Sequence, residues 1–169
     1  MRIEGHDAKS IKPTADVVLK RATGDITLTV GALTPDFADK QEADLPSPQP
    51  RRIGFAKNKR GVVQLHPTTG KPIVTYDEDD PAYKAKRSKI QQLQTVKMIV
   101  DALEPGQLVF DTKRGGDALE YYEGVRSEMV SFGFTVGDFR VLLDAITEVS
   151  GMDDEELEEA TADFFDEAT

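Results

Sequence analysis

The stretch Gly133-Phe134-Thr135-Val136-Gly137-Asp138-Phe139-Arg140-Val141-Leu142-Leu143-Asp144-Ala145-Ile146-Thr147-Glu148-Val149-Ser150-Gly151 carries the clearest structural signal in the chain. Thr135 and Asp138 stand three apart, as the partners of a capping box do, with Asp where Glu is usual. Phe134 and Phe139 bracket that start as a hydrophobic staple. Phe139, Leu142, Leu143, Ile146 and Val149 recur at helical spacing, and Gly151 supplies the stop. The stripe must be buried against other elements.

Outward from this helix, further ends can be read. Asp153 and Glu156 repeat the capping box, stapled by Met152 and Leu157. Leu157, Ala160, Phe164 and Phe165 then give a last helix a narrow apolar edge on an acidic body. The two starts share capping chemistry and are not a true repeat. Upstream, Gly115-Gly116-Asp117 opens a helix with Leu119, Tyr122, Val125 or Arg126, Met129 and Phe132 on one face, and Gly133 as its C-terminal cap. Before that, Asp80 is an N-cap with Pro81 at the first helical position. Tyr83, Ile90, Leu93, Val96 or Lys97, Val100 and Leu103 follow at roughly helical spacing, until Glu104-Pro105-Gly106 stops the run. Gln107-Leu108-Val109-Phe110 reads as a short extended piece.

The N-terminal part has a different period. Val17 to Arg21 and Ile26 to Val30 flank the turn Ala22-Thr23-Gly24-Asp25, which reads as a β-hairpin. Ile26, Leu28 and Val30 alternate with Thr27 and Thr29, so one face is buried and the other wet. Residues 34–60 read as a linker, with Leu45-Pro46-Ser47-Pro48-Gln49-Pro50 favouring an extended chain. Gly61 to Leu65 and Ile73 to Tyr76 suit a second hairpin around His66 to Pro72. The expected fold is α+β: a small N-terminal β-hairpin or sheet region followed by a C-terminal bundle of about four helices. Its expected divisions are a hairpin region at 1–33, a Pro-rich and basic connector with the second hairpin at 34–79, and a helical domain at 80–169.

Composition narrows the function classes. The 169 residues include no cysteine and no tryptophan, which removes disulfides, thiolate metal sites and a Cys nucleophile. Met1 to Asp7 holds no apolar run, so no secretory leader is expected there. No apolar segment is long enough to span a bilayer. The formal net charge is −10, so nucleic acid is not an expected partner. Charge is split along the chain: residues 51–90 carry ten Lys or Arg against four acids, and residues 151–169 carry nine acids and no Lys or Arg. A split of this kind marks an interaction surface or tail.

Reactive chemistry is sparse. His6 and His66 are the only histidines, and they lack ligand spacing to one another. No Ser sits in a Gly-x-Ser-x-Gly elbow, and no phosphate-cradling glycine loop occurs. Asp77-Glu78-Asp79-Asp80 lacks the alternation of a calcium loop and suits the positive end of a helix dipole. No catalytic residue, cofactor or metal is expected, and the chain is not expected to be an enzyme. What remains is apolar helix surface. Tyr83, Phe134, Phe139, Leu142, Ile146, Leu157, Phe164 and Phe165 are the expected partner-binding residues. A basic segment docking the acidic C-terminal helix of a second copy, or an acidic partner, is a further reading.

This layout resembles the tail assembly chaperones of long-tailed, siphovirus-like bacteriophages. The likeness rests on the hairpin, the Pro-rich connector, Asp80-Pro81-Ala82-Tyr83 opening a basic helix, Gly133-Phe134-Thr135 before a short helix, and the acidic Leu157 to Phe165. It runs loosely over residues 16 to 165. The resemblance implies a protein that binds the long, helical tape measure protein, keeps it soluble and recruits tail tube subunits. It also implies a homo-oligomer without cofactor, acting in the host cytoplasm and absent from the mature virion. Such chaperones often exist in a short and a frameshifted longer form. The long middle of the present chain, residues 34 to 76, departs from the pattern. Two other readings are a structural virion protein, such as a head-tail connector or minor tail component, and an acidic mimic of DNA. The basic middle segment argues against the mimic.

Overall fold

The computed structural model describes residues 13–151. Eight elements follow one another: β1 (Thr14–Leu19), β2 (Ile26–Gly31), α1 (Phe37–Asp44), β3 (Arg51–Phe55), β4 (Val74–Asp77), α2 (Pro81–Ala102), α3 (Ala118–Ser131) and α4 (Val136–Ser150). The architecture is α+β, with two small antiparallel sheets on the N-terminal side and a helical C-terminal region. The chain divides into two compact units. One joins Met1–Pro46 to Gln91–Thr169, and the other is Ser47–Ile90.

In the first unit, β1 pairs with β2 so that Val17 faces Leu28 and Ala15 faces Val30. The period-two alternation puts Val17, Leu19, Leu28 and Val30 on one face, and all four are buried. On the wet face, Thr29 donates its hydroxyl to Asp16 at 2.8 Å. α4 packs across both strands, which is the cover an isolated hairpin needs. The outer edge of β2 is closed too. Val30 bridges Leu103, Glu104 N–H donates to the Thr29 carbonyl, and Thr29 N–H donates to the Gln107 side chain at 2.7 Å. A closed edge offers no template for further strands.

The helix ends follow their local chemistry. The Asp80 carboxylate accepts from Ala82 N–H, and the Asp117 carboxylate accepts from Leu119 N–H. α3 ends in a Schellman motif: Phe134 N–H donates to Met129 C=O and Gly133 N–H to Val130 C=O. Gly133 adopts φ +98°, which a side chain would resist. α4 starts with the expected capping box, Thr135 and Asp138 each accepting from the other's backbone N–H. The Phe134 and Phe139 ring centroids lie 6.1 Å apart, and Gly151 ends the helix in the left-handed conformation. The helix expected from Asp153 onward lies outside the described residues.

Two expectations are corrected. Residues 34–60 are not a plain linker, because Phe37–Asp44 is helical and β3 follows it. α1 holds a single buried side chain of its own, Phe37, with Leu45 buried just beyond its end. A single anchor at its start gives no apolar period, so the helix is held by docking rather than by pattern. The Gln94 amide fastens it by donating to the Leu45 carbonyl at 2.8 Å.

The second unit also differs. The named strands that pair are β3 and β4, with Arg52 facing Tyr76 and an irregularity between Arg52 and Gly54. The expected ribbon around His66 forms only in part. His66 N–H donates to Lys71 C=O, Ile73 N–H donates to Gln64 C=O, and Leu65 bridges Pro72. Asn58 builds the other tight turn, its side-chain oxygen accepting from the N–H groups of Arg60 and Val62.

Candidate binding surfaces

The segment after Gly106 has no regular structure, yet it is firmly fixed. The Glu128 carboxylate on α3 accepts from Asp111 N–H at 2.8 Å and Thr112 N–H at 2.6 Å, and from the Thr112 hydroxyl. Gly124, one turn earlier on α3, lets Thr112 approach. A Cβ there would meet the Thr112 side chain at 2.7 Å. The Thr112 hydroxyl, with these N–H donors, holds the Glu128 carboxyl below its usual range against a partial loss of hydration.

Pinning Thr112 leaves Leu108, Val109 and Phe110 standing beside the C-terminal turn of α3. There opens a groove of about 640 Å³, whose lining also includes Met129, Phe132 and Phe134 with Asp111 and Glu128. Val109 is 87% exposed and Phe132 is 73% exposed. Open apolar ground of this kind beside a closed core makes the groove a candidate binding surface. Sequence reading puts Phe132 on one face of α3 with Leu119, Tyr122 and Met129. It lies past the last turn, at the C-cap, where the chain turns away and the stripe no longer points inward.

A second cavity, about 480 Å³, lies beside Lys97 and is lined by residues that include Phe37, Lys40, Asp44, Asp101 and Arg114. The Lys97 ammonium donates to Asp101 at 2.9 Å, pairs with Asp44 at 3.0 Å and reaches the Tyr122 hydroxyl at 3.4 Å. The Phe37 and Tyr122 rings flank it at 6.0 and 5.5 Å. Burial pulls the Lys97 pKa down, but the hydrogen bonds to Asp101 and Asp44 outweigh it and hold the group above the ordinary lysine value. A nucleophilic or Schiff-base lysine needs the opposite shift. The arrangement fixes α1 to α2 and offers no free amine.

The third polar cluster is also structural. Arg21, in the β1–β2 turn, grips Asp138 with two hydrogen bonds of 3.0 and 2.8 Å. Asp138 also caps α4, so one carboxylate joins the hairpin to the helix. Desolvation raises its pKa, and the bonds from Arg21 and Thr135 outweigh this and keep it below the usual carboxylate range. Asp138→Ala should cost about 2 kcal/mol through the lost cap and the stranded arginine. Because the folded pKa is depressed, that advantage is present above the ordinary value of 3.8 and lost as pH falls through the lower folded value. Urea midpoints of wild type and variant, followed from neutral pH into acid, check both the size and the convergence.

The expected partner-binding residues divide three ways. Phe139, Leu142 and Ile146 are buried in the core of the first unit, and Phe134 is buried there too while also lining the groove. Tyr83 is half-buried in the second unit. Leu157, Phe164 and Phe165 lie outside the described residues. His66 accepts from Thr68 N–H in its turn. Among the described residues, no three His, Cys, Asp or Glu side chains gather as a metal would require, and no helix is long and apolar enough to cross a membrane.

No protein-family model, curated protein or solved structure matches the chain.

Proposed function

We propose that this chain is a non-enzymatic holding factor, a phage tail assembly chaperone that binds the tape measure protein and helps recruit tail tube subunits. The observation that supports it best is the open groove of Leu108, Val109, Phe110, Met129 and Phe132. Its occupant is the apolar edge of a partner helix, set in by i, i+3 and i+4 side chains. The acids in its lining, Asp111 and Glu128, suit a partner whose apolar face is flanked by basic residues. The likeness of residues 16 to 165 to such chaperones supplies the identity of the partner. On this reading the protein acts in the host cytoplasm and leaves before the particle matures.

Binding of a long, helical tail protein tests this. Phe132→Asp should weaken capture about 100-fold, because a central aromatic anchor is replaced by a charge. Its exposure means the thermal midpoint should stay within a few degrees of wild type. Equal capture by Phe132→Asp and Val109→Asp would remove the groove from the interaction. Mass spectrometry of purified particles separates this reading from the structural virion protein, since only the latter would be found there.

A further inference from the structure

The second unit, Ser47–Ile90, has a complete hairpin-like backbone but almost no interior. From residue 47 to residue 89 no side chain is buried. Ile53 is 62% exposed and Leu65 57%, and Phe55, Val62 and Tyr76 are also exposed. A two-stranded ribbon without cover is marginal in water, and apolar side chains gathered on such a ribbon mark a docking face. The same unit carries ten Lys or Arg and four acids, a net of +6, whereas the whole chain carries −10. The Arg52 guanidinium lies over the Phe55 ring at 4.5 Å, holding basic and apolar surface together.

A partner for this face must be acidic and apolar at once. The chain contains such a segment. Residues 152–169 hold nine acids and no Lys or Arg, together with Met152, Leu157, Phe164 and Phe165. We propose that the basic ribbon of one copy binds the acidic C-terminal segment of a second copy. The acidic segment carries the charge opposite to the ribbon, and its Leu157, Phe164 and Phe165 match the exposed Ile53, Leu65 and their neighbours in apolar character. Ribbon against ribbon would set like charges together, so the contact is unlike-to-unlike, ribbon to tail. Nucleic acid is the weaker candidate: Phe55 and Tyr76 offer rings to stack on, but Ile53, Val62 and Leu65 do not, and the whole chain's charge of −10 repels a phosphate backbone.

Sedimentation of the full-length chain tests the proposal. Wild type should associate with rising concentration at about 0.01 M salt and come apart near 1 M, as screening shortens from about 30 Å to about 3 Å. Charge reversal in the ribbon (Arg51→Glu, Arg52→Glu, Lys57→Glu) should weaken association at least about tenfold. Reversal in the tail (Glu155→Lys, Glu156→Lys, Glu159→Lys) should do the same. An equal mixture of the two variants should associate again, because the unaltered tail of one then meets the unaltered ribbon of the other. A wild type that stays monomeric at every salt concentration, or a mixture that stays apart, overturns the proposal. So does a ribbon-dependent shift of single-stranded RNA by a chain that remains monomeric. All six substitutions lie outside the groove, so a failure here leaves partner capture by Phe132 and Val109 intact.

Discussion

Ile146→Asp should abolish cooperative folding of the first unit. Ile146 is 0% exposed and belongs to the core that joins α4 to the hairpin. The variant loses the burial of a large aliphatic side chain, worth about 2–3 kcal/mol, and strands a carboxylate where no cation is placed to meet it. Together these cost about 5 kcal/mol or more, which approaches the whole stability of a small domain. The same helix supplies its own control. Val141 is 48% exposed, and Val141→Asp should change stability by about 0.5 kcal/mol or less. Urea unfolding followed by circular dichroism reads both. A cooperative transition for Ile146→Asp near that of wild type would mean that α4 does not form this core.

The second large effect centres on Lys97. Its side chain is 3% exposed, and its ammonium lies between Asp44 and Asp101, whose side chains are each 33% exposed. Lys97→Ala should cost about 3 kcal/mol, because it opens a hole under Phe37 and leaves two carboxylates facing each other. Their partial exposure lets water relieve some of that repulsion, which keeps the cost below that of a fully buried pair. Lys97→Met fills the space but not the charge, so it should recover only part of the loss. Adding Asp44→Asn and Asp101→Asn to Lys97→Met should recover most of it. The pH dependence has the opposite sign from that of Asp138. The folded pKa of Lys97 lies above its ordinary value of 10.5. Its contribution is therefore fully present below about pH 10.5 and is lost only as pH rises through the higher folded value. A wild-type advantage over Lys97→Met that fades already between pH 7 and pH 9 would contradict the three-way ion pair.

The contrast between Ile146 and Phe132 shows where sequence reading of the site succeeds and fails. Periodicity identifies which residues share a helix face, and Phe139, Leu142, Leu143 and Ile146 do share one. It does not say whether that face meets the same chain or another. The hairpin offers Val17, Leu19, Leu28 and Val30 as a matching surface, so the stripe is consumed internally. Phe132 carries the same apolar signature and ends exposed, because the Schellman turn at Gly133 redirects the chain one residue later. Groove residues such as Val109 lie in a segment without period, held by Glu128 from another element, and no local pattern marks them.

The sequence by itself determined what depends on neighbours a few positions away. Those features are the alternating face of β2, the Asp80, Asp117 and Thr135 helix starts, the glycine stops at Gly133 and Gly151, and the division of charge along the chain. Capping and side-chain period act within one or two turns, so their signals survive in a linear reading. The tertiary structure alone decided which distant groups meet. Arg21 grips Asp138 across 117 positions, Lys97 draws Asp44 to Asp101, and α1 forms around Phe37 and Leu45 although its own sequence shows no stripe. Such pairings are chosen when the chain closes, because burial makes each cation and carboxylate costly until it finds its opposite.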